Sequence, residues 1–406
     1  MVRGMRRTPV ALLNLISQPA RTFACVLGVS FALLLIFMQL GFRGAVGNTA
    51  NIVLGKMEGD LVMRSPDYVH LYEPRTIDRG WMRLVQSHPM VERVDPFFIM
   101  LMRWQNGARP QGCSDAPPDG SFRTVGMMGV EVDHCVLAVP EILGQLDKLK
   151  SPDALLVDRA TRAEYGPRDC RVFSDQDIGQ RVELGNRSTL IEGHFQLGTG
   201  LATNGAVLLS DVGYSYRSGV DTRQRASLGL VRLKPGVSAE QAKLELVRWL
   251  RERDVRGMQE LEILTMEEQL RWERTRWLRE TPIGMIFTMG VVLSFIIGAA
   301  IVYMILANDV ANRLSEYATL KAMGYSQFAL ARIVIVQSWL LALLSYLPAL
   351  GVAMLLYQIT ASLSKIPTSM TWERSLGVLG LALLMCTLSG GMAMLKLWKA
   401  EPASLF

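Results

Sequence analysis

The stretch Ile305–Gln327 reads ILANDVANRLSEYATLKAMGYSQ and lies between two long apolar segments. Asp309, Arg313, Glu316 and Lys321 are concentrated in it. Asp309 and Arg313 stand four residues apart, a spacing that lets the two pair on one helix face. Val310, Leu314, Tyr317 and Ala318 recur at steps of three and four, the period of an amphipathic helix. Gly324 follows the last helical position, where a residue of positive φ ends a helix, and Ser326 is a good start for the next one. A short amphipathic helix between two membrane spans cannot leave its polar face in hydrocarbon, so that face meets water or a protein. The pattern predicts a foot on which another protein acts.

Outward from this foot, the chain divides by hydropathy. Thr22–Phe42 carries no charge, and a helix of that length crosses a hydrocarbon core of about 30 Å. A secretory signal is the competing reading, but the run is too long for a usual apolar core and no A-x-A site follows. Thr281–Asn308, Ile333–Ser364 and Ser375–Leu395 are the other apolar segments. Pro348, in the middle of the third, predicts a kink or a split there. The expected plan is an α-helical membrane protein with four transmembrane helices and one large α+β extracytoplasmic domain between the first and second. Its boundaries are an interfacial helix at 1–20, spans at 21–45, 281–308, 328–364 and 375–395, and a coupling helix at 309–327. An outer loop covers 365–374 and a cytoplasmic tail covers 396–406.

Four spans place both termini on one side. Arg3, Arg6, Arg7, Arg21, Arg313, Lys321, Arg332, Lys396 and Lys399 then share that side, which the excess of basic residues assigns to the cytoplasm. The long hydrophilic region is extracytoplasmic by the same count. Within it, Thr76–His88 has a helix pattern, and VERVDPFFIML at 91–101 and LGLVRL at 228–233 read as strands. Lys234-Pro235-Gly236 is a turn, and Ser238 with Gln241 is a capping-box pair that starts a helix. Residues 120–225 are rich in Val, Gly and Asp with β-type alternation. Two lobes are expected within 46–257: a porter-like lobe built from both ends and a β-rich lobe inserted in the middle. Residues 258–280, MQELEILTMEEQLRWERTRWLRE, read as a charged stalk helix running into the second span, with Trp272 and Trp277 at the membrane interface.

Composition narrows the function. Half of the 406 residues are hydrophobic, and the net charge of +6 is dispersed rather than gathered into a nucleic-acid patch. Five cysteines are scattered without a C-x-x-C pair; a Cys113–Cys135 bridge is one option in an oxidising compartment, with Cys170 left over. No G-x-x-x-x-G-K-[ST] occurs, so no phosphate-cradling loop of that kind is expected to bind ATP. Leu388-Ser389-Gly390-Gly391 looks like an ATPase signature but lies in an apolar span, where small residues serve close helix packing. His70, His88, His134 and His194 lack metal-ligand spacing, and no G-x-S-x-G elbow marks a nucleophile. No catalytic residue, metal ligand or cofactor site is expected. Polar residues in the spans are few (Gln39, Tyr303, Gln337 and Gln358), without the carboxylate relay of an ion-coupled carrier.

SEYATLKAMGYS at 315–326 resembles the loop of FtsX/MacB-type ABC transporter permeases, closest to their DevC branch. EGHFQLGTGLATNGAVLLSD at 192–211, VRLKPGVSAEQAKLEL at 231–246 and the ending EPASLF extend the resemblance. It implies a homodimeric permease subunit of an exporter in the bacterial inner membrane, served by two copies of a separate cytoplasmic ATPase that carries ATP and Mg. It implies that the ATPase grips Asp309, Arg313, Glu316, Tyr317, Leu320, Lys321, Met323, Gly324 and Tyr325. A periplasmic adaptor (membrane fusion protein), an outer-membrane channel and a lipid, glycolipid or other hydrophobic cargo follow from the same resemblance. Two related plans stay open: an FtsX-like regulator of an extracytoplasmic hydrolase, and a lipoprotein-releasing permease.

Overall fold

The structure, a computed structural model, describes residues 19–105, 122–166, 172–198, 200–253, 260–312, 316, 319, 323–324, 326–364 and 368–399. Of the expected interfacial helix at 1–20 and the expected tail at 396–406, only residues 19–20 and 396–399 are described. In chain order the main helices are α1 (Pro19–Ala50), α2 (Arg79–Gln86), α3 (Asp211–Ser218), α4 (Ala239–Arg253), α5 (Met266–Arg279), α6 (Pro282–Asn312), α7 (Gln327–Ser364) and α8 (Trp372–Lys399). Two compact units result: Val46–Glu280, and the helices on either side of it in sequence.

In the helical unit, α1, α6, α7 and α8 each hold a stretch long and apolar enough to cross a membrane: Thr22–Ala50, Pro282–Asn312, Leu330–Ser362 and Trp372–Met394. Lipid-facing side chains need only be apolar, so what fixes these helices is close approach and hydroxyl bonding. A Cβ on Gly298 of α6 would meet Met385 Sδ at 2.6 Å and the Ala32 Cβ at 3.0 Å. Ser389 Oγ of α8 donates to the Ala299 carbonyl at 2.8 Å, which puts the ATPase-like LSGG run inside a helix contact. Tyr346 of α7 donates to the Ser375 carbonyl at 3.0 Å, and Tyr357 donates to the Phe37 carbonyl of α1. Helix α7 is not split: it runs unbroken through Pro348 for 38 residues. The carbonyl of Ser345, three residues before the proline, accepts from Ser30 Oγ at 2.9 Å, so a neighbouring helix takes up a backbone group there.

The other unit is built on strands β1 (Leu61–Arg64), β2 (Ile77–Asp78), β3 (Val91–Gln105), β4 (Arg123–Val130), β5 (Ala154–Asp158), β6 (Arg181–Leu184), β7 (Arg187–Phe195), β8 (Ala206–Ser210), β9 (Arg225–Ala226), β10 (Leu228–Leu233) and β11 (Glu262–Thr265). Nine of them form one sheet in the order β11-β1-β10-β3-β4-β8-β5-β7-β6. Strand β6 returns to the far end of β3, with Trp104 opposite Leu184, so six strands close into a ring. The remaining strands, β10, β1 and β11, extend from the near half of β3 as an open arm.

Two apolar cores lie on the two faces. Alternate residues of one strand serve each: Leu155 and Val157 one, Leu156 the other; Phe98 one, Phe97 and Ile99 the other. Helices α2, α3 and α4 cover the first face through Met82, Val85, Tyr214, Ala242, Leu246 and Leu250. The second is covered by Val53, Leu54, Leu71, Tyr72, Leu137 and Ile142, with Leu270 and Trp272 of α5 packed against it. Both cores draw on the ring and on the arm, so the two expected lobes share the 15-residue strand β3 and are one unit. Strands β5 and β8 are buried along their whole length, which is why ALLVD and AVLLS are continuous apolar runs rather than alternating ones.

The stalk departs most from its sequence reading. Residues Glu262–Thr265 are not helical but pair antiparallel with β1. Helix α5 starts only at Met266, on a capping box in which Thr265 and Glu268 bond each other's backbone N–H. It ends at Arg279, Glu280 caps it, and α6 begins at Pro282. The rod expected across 258–280 is thus a strand, a 14-residue helix and a joint. The tryptophans turn inward. Trp277 is 8% exposed and donates to Glu273 Oε1 at 3.0 Å, while Trp272 lies under the Arg64 guanidinium at 4.2 Å.

Candidate functional site

The segment between α6 and α7 begins on a fixed base. Val310, near the end of α6, is buried with Leu330 and Val334 of α7 and Met394 of α8. Beside this cluster the Asp309 carboxylate accepts from Gln337 Nε2 at 2.7 Å. Arg313, the expected partner of Asp309, lies outside the described residues; the bond to Gln337 ties Asp309 to the next span. Gln337 reads in the sequence as one of a few polar span residues, and its meeting with Asp309, about three turns into α7, depends on how the two helices pair.

Beyond the base the described residues face outward. Glu316 and Thr319 are helical and exposed. Met323 N–H bonds the Thr319 carbonyl at 3.0 Å, and Gly324 takes a φ of +92°, the left-handed conformation that glycine adopts at a helix end. The chain then re-enters a helix, with the Ser326 carbonyl accepting from Leu330 N–H at 3.2 Å. Met323 is 64% exposed and Phe328, in the first turn of α7, is 80% exposed. Phe328 escaped notice in the sequence because it opens an apolar run and reads as part of a span. Of the nine residues expected to meet an ATPase, Asp309, Glu316, Met323 and Gly324 are described; Arg313, Tyr317, Leu320, Lys321 and Tyr325 lie outside the described residues. Around the glycine turn at Gly324 the described residues thus expose a carboxylate, a thioether and, in the first turn of α7, an aromatic ring.

Residues 288–402 match the family of FtsX-like permeases in their C-terminal domain. That part of the chain is an FtsX-like permease C-terminal domain. No curated protein matches it. Two solved structures resemble this chain weakly. One is the periplasmic region of MacB from Actinobacillus actinomycetemcomitans, 9% identical over 53% of this chain and 92% of that one, with a TM-score of 0.35. The other is the extracellular domain of the noncanonic ABC-type transporter YknZ from Gram-positive bacteria, 13% identical over 51% of this chain and 98% of that one, with a TM-score of 0.34. At these scores neither carries an argument.

Ionisable groups of the Val46–Glu280 unit have structural partners. Glu273 of α5 is 1% exposed and accepts from Tyr68 OH at 2.8 Å, Leu71 N–H at 3.1 Å and Trp277 Nε1. Burial nevertheless raises its pKa above the usual carboxylate range. Arg64 joins the same patch, donating to Gln269 Oε1 at 2.9 Å and to Glu262 at 2.8 Å. Cys135 is a free thiol, pushed up to about 11 by burial; Cys113 and Cys170 lie outside the described residues. His194 bonds the Ser174 carbonyl, His88 stacks edge-on against Trp249, and His134 meets Arg93. Among the described residues no three His, Cys, Asp or Glu side chains are grouped to hold a metal ion.

Proposed function

We propose that this permease is the membrane subunit of an ABC-type exporter. In this reading it works as a homodimer with two copies of a separate cytoplasmic ATPase, which supplies the ATP and Mg chemistry. The observation that carries the proposal is the FtsX-like match over 288–402 combined with the exposed Glu316, Thr319 and Met323 ahead of the left-handed Gly324. ATP-driven closure of the ATPase moves that segment. The bond from Gln337 to Asp309 and the Val310 cluster pass the movement to α6, α7 and α8 together. From the bundle it leaves through the chain at two places. One is α1, helical without a break from Pro19 to Ala50; the other is the joint at Glu280–Pro282. A periplasmic adaptor and an outer-membrane channel complete the path, with both chain termini in the cytoplasm of a two-membrane cell. The DevC-like segments favour a lipid or glycolipid cargo.

Substituting Glu316→Lys or Gly324→Trp tests the foot. Each is expected to abolish co-purification of the ATPase while membrane insertion is unchanged. Normal co-purification with both variants contradicts the assignment.

A further inference from the structure

The α7–α8 end of the helical unit is fastened to α1 through two glycines. Gly41 and Gly44 stand three residues apart on α1, so they are neighbours on one helix face. A Cβ on Gly41 would collide with the Tyr357 hydroxyl of α7 and lie 2.5 Å from its ring. A Cβ on Gly44 would collide with the Arg374 guanidinium of α8, whose Cζ lies 3.1 Å from the position such an atom would take. The missing side chains of α1 are thus two notches, each filled by a long side chain from another helix.

Both filling side chains are themselves held. Tyr357 OH donates to the Phe37 carbonyl of α1, and the Tyr357 carbonyl accepts from Thr368 Oγ1 at 3.0 Å. Arg374 Nη1 donates to the Ser369 carbonyl, its backbone N–H bonds Thr371 Oγ1 at 3.3 Å, and its guanidinium lies 5.7 Å from the Tyr357 ring. One hydroxyl and one cation therefore connect α1, α7, α8 and the chain between the last two. Close by, α1 meets α6 through a ring stack, Phe42 on Phe287 with centroids 5.5 Å apart, which carries no polar bond.

A charged side chain near the end of a span is costly to leave without partners, and the rigid donor fork of a guanidinium is satisfied in few orientations. Helices in apolar contact can slide past one another by small steps; helices keyed through a filled notch must first empty it. We propose that Tyr357 and Arg374, seated at Gly41 and Gly44, lock this end of α1, α7 and α8 into one rigid body. Under the export reading, on which only this consequence rests, displacement of α7 and α8 reaches α1 through the clasp.

The test uses the full chain in nanodiscs, with nitroxides on p-acetylphenylalanine in place of the half-buried Met38 of α1 and the exposed Leu376 of α8. Labelled chain is diluted in an excess of unlabelled chain, so that pulsed electron resonance reads distances within one chain. A single narrow distance is expected. Gly44→Ala, which evicts the guanidinium tip, and Arg374→Gln with Tyr357→Phe are each expected to broaden the distribution at least twofold. Phe42→Ala, which removes only the ring stack, is expected to leave it narrow. A second pair, at the exposed Phe31 and Leu388, is expected to stay narrow throughout and separates an opened clasp from an unfolded bundle. Gly44→Ala adds a single methyl and keeps the test readable where the double variant loses the bundle. A broad distance in the unaltered chain overturns the proposal. So does a narrow one that survives in Gly44→Ala and in the double variant, or equal broadening by Phe42→Ala. Neither ATP nor an ATPase enters the measurement, so a failed clasp leaves the export reading standing.

Discussion

In Val46–Glu280 one of the buried carboxylates, Glu273, gathers a tyrosine hydroxyl, a backbone N–H and an indole N–H. In the helical unit the long-range buried polar contacts are mostly single hydroxyls on helix carbonyls: Ser30 on Ser345, Ser389 on Ala299, Tyr357 on Phe37. The difference follows from the two solvents. A water-facing unit gains stability by burying apolar area, and can hold an ionisable group inside when every donor around it is used. A lipid-facing unit has no such gain between its helices. It is held by fit and by weak bonds, and its ionisable groups sit near the helix ends.

The sharpest way to break this contrast is at Glu273. Replacing it with Ala leaves three donors unmade in a buried site, each worth about 1–3 kcal/mol, and is expected to unfold α5 from the sheet. Hydrogen exchange across Met266–Arg279 would show it; native protection there would mean the network is incidental. Glu273→Gln separates charge from bonding. Burial raises the folded-state pKa, so the stability contributed is complete below the ordinary carboxylate range and is lost as pH rises through the raised value. The Gln variant has no such loss. Its melting temperature is expected to gain on that of the unaltered chain as the pH is raised towards neutrality, and a constant difference would contradict the assignment.

Next in size is fit within the membrane. Gly298→Leu forces a side chain against Met385 and Ala32 and is expected to destabilise the bundle by about 1–3 kcal/mol. Gly391→Leu, where a Cβ meets nothing within 4 Å, should be tolerated. Thermal aggregation of the two in detergent compares them directly, and equal loss would mean that close approach at Gly298 is not special. Smaller still, Gln337→Leu removes one bond to Asp309, about 1 kcal/mol for a polar contact between membrane helices. Insertion should be normal and coupling between ATPase and bundle reduced, seen as hydrolysis that no longer responds to the permease.

The same contrast explains what the sequence could tell. The spans were legible because hydropathy over some twenty residues is a local property. Thr22–Phe42 needs no knowledge of its neighbours to be read as a crossing. The cap at Gly324 was legible for the same reason, since its positive φ is a property of one residue type at a helix end. The ring was not, because closure rests on Trp104 meeting Leu184 across 80 positions. The stalk misled in a more instructive way. Its charges and tryptophans suit an exposed helix at a membrane surface, yet Glu273 and Trp277 stand four apart and face one buried patch. The T-x-x-E at Thr265–Glu268 marks the true helix start and was available, but it sits inside a longer helix-like pattern. At the foot, Gln337 was recognised as polar and its partner was not, since pairing between helices depends on their register.

Photo-cross-linking from position 323 in native membranes, with a benzophenone side chain in place of Met323, tests the central reading most directly. The expected result is a product with a separate nucleotide-hydrolysing subunit, in a yield that changes when ATP is added. No such product, or nucleotide hydrolysis by the purified permease alone, would contradict it.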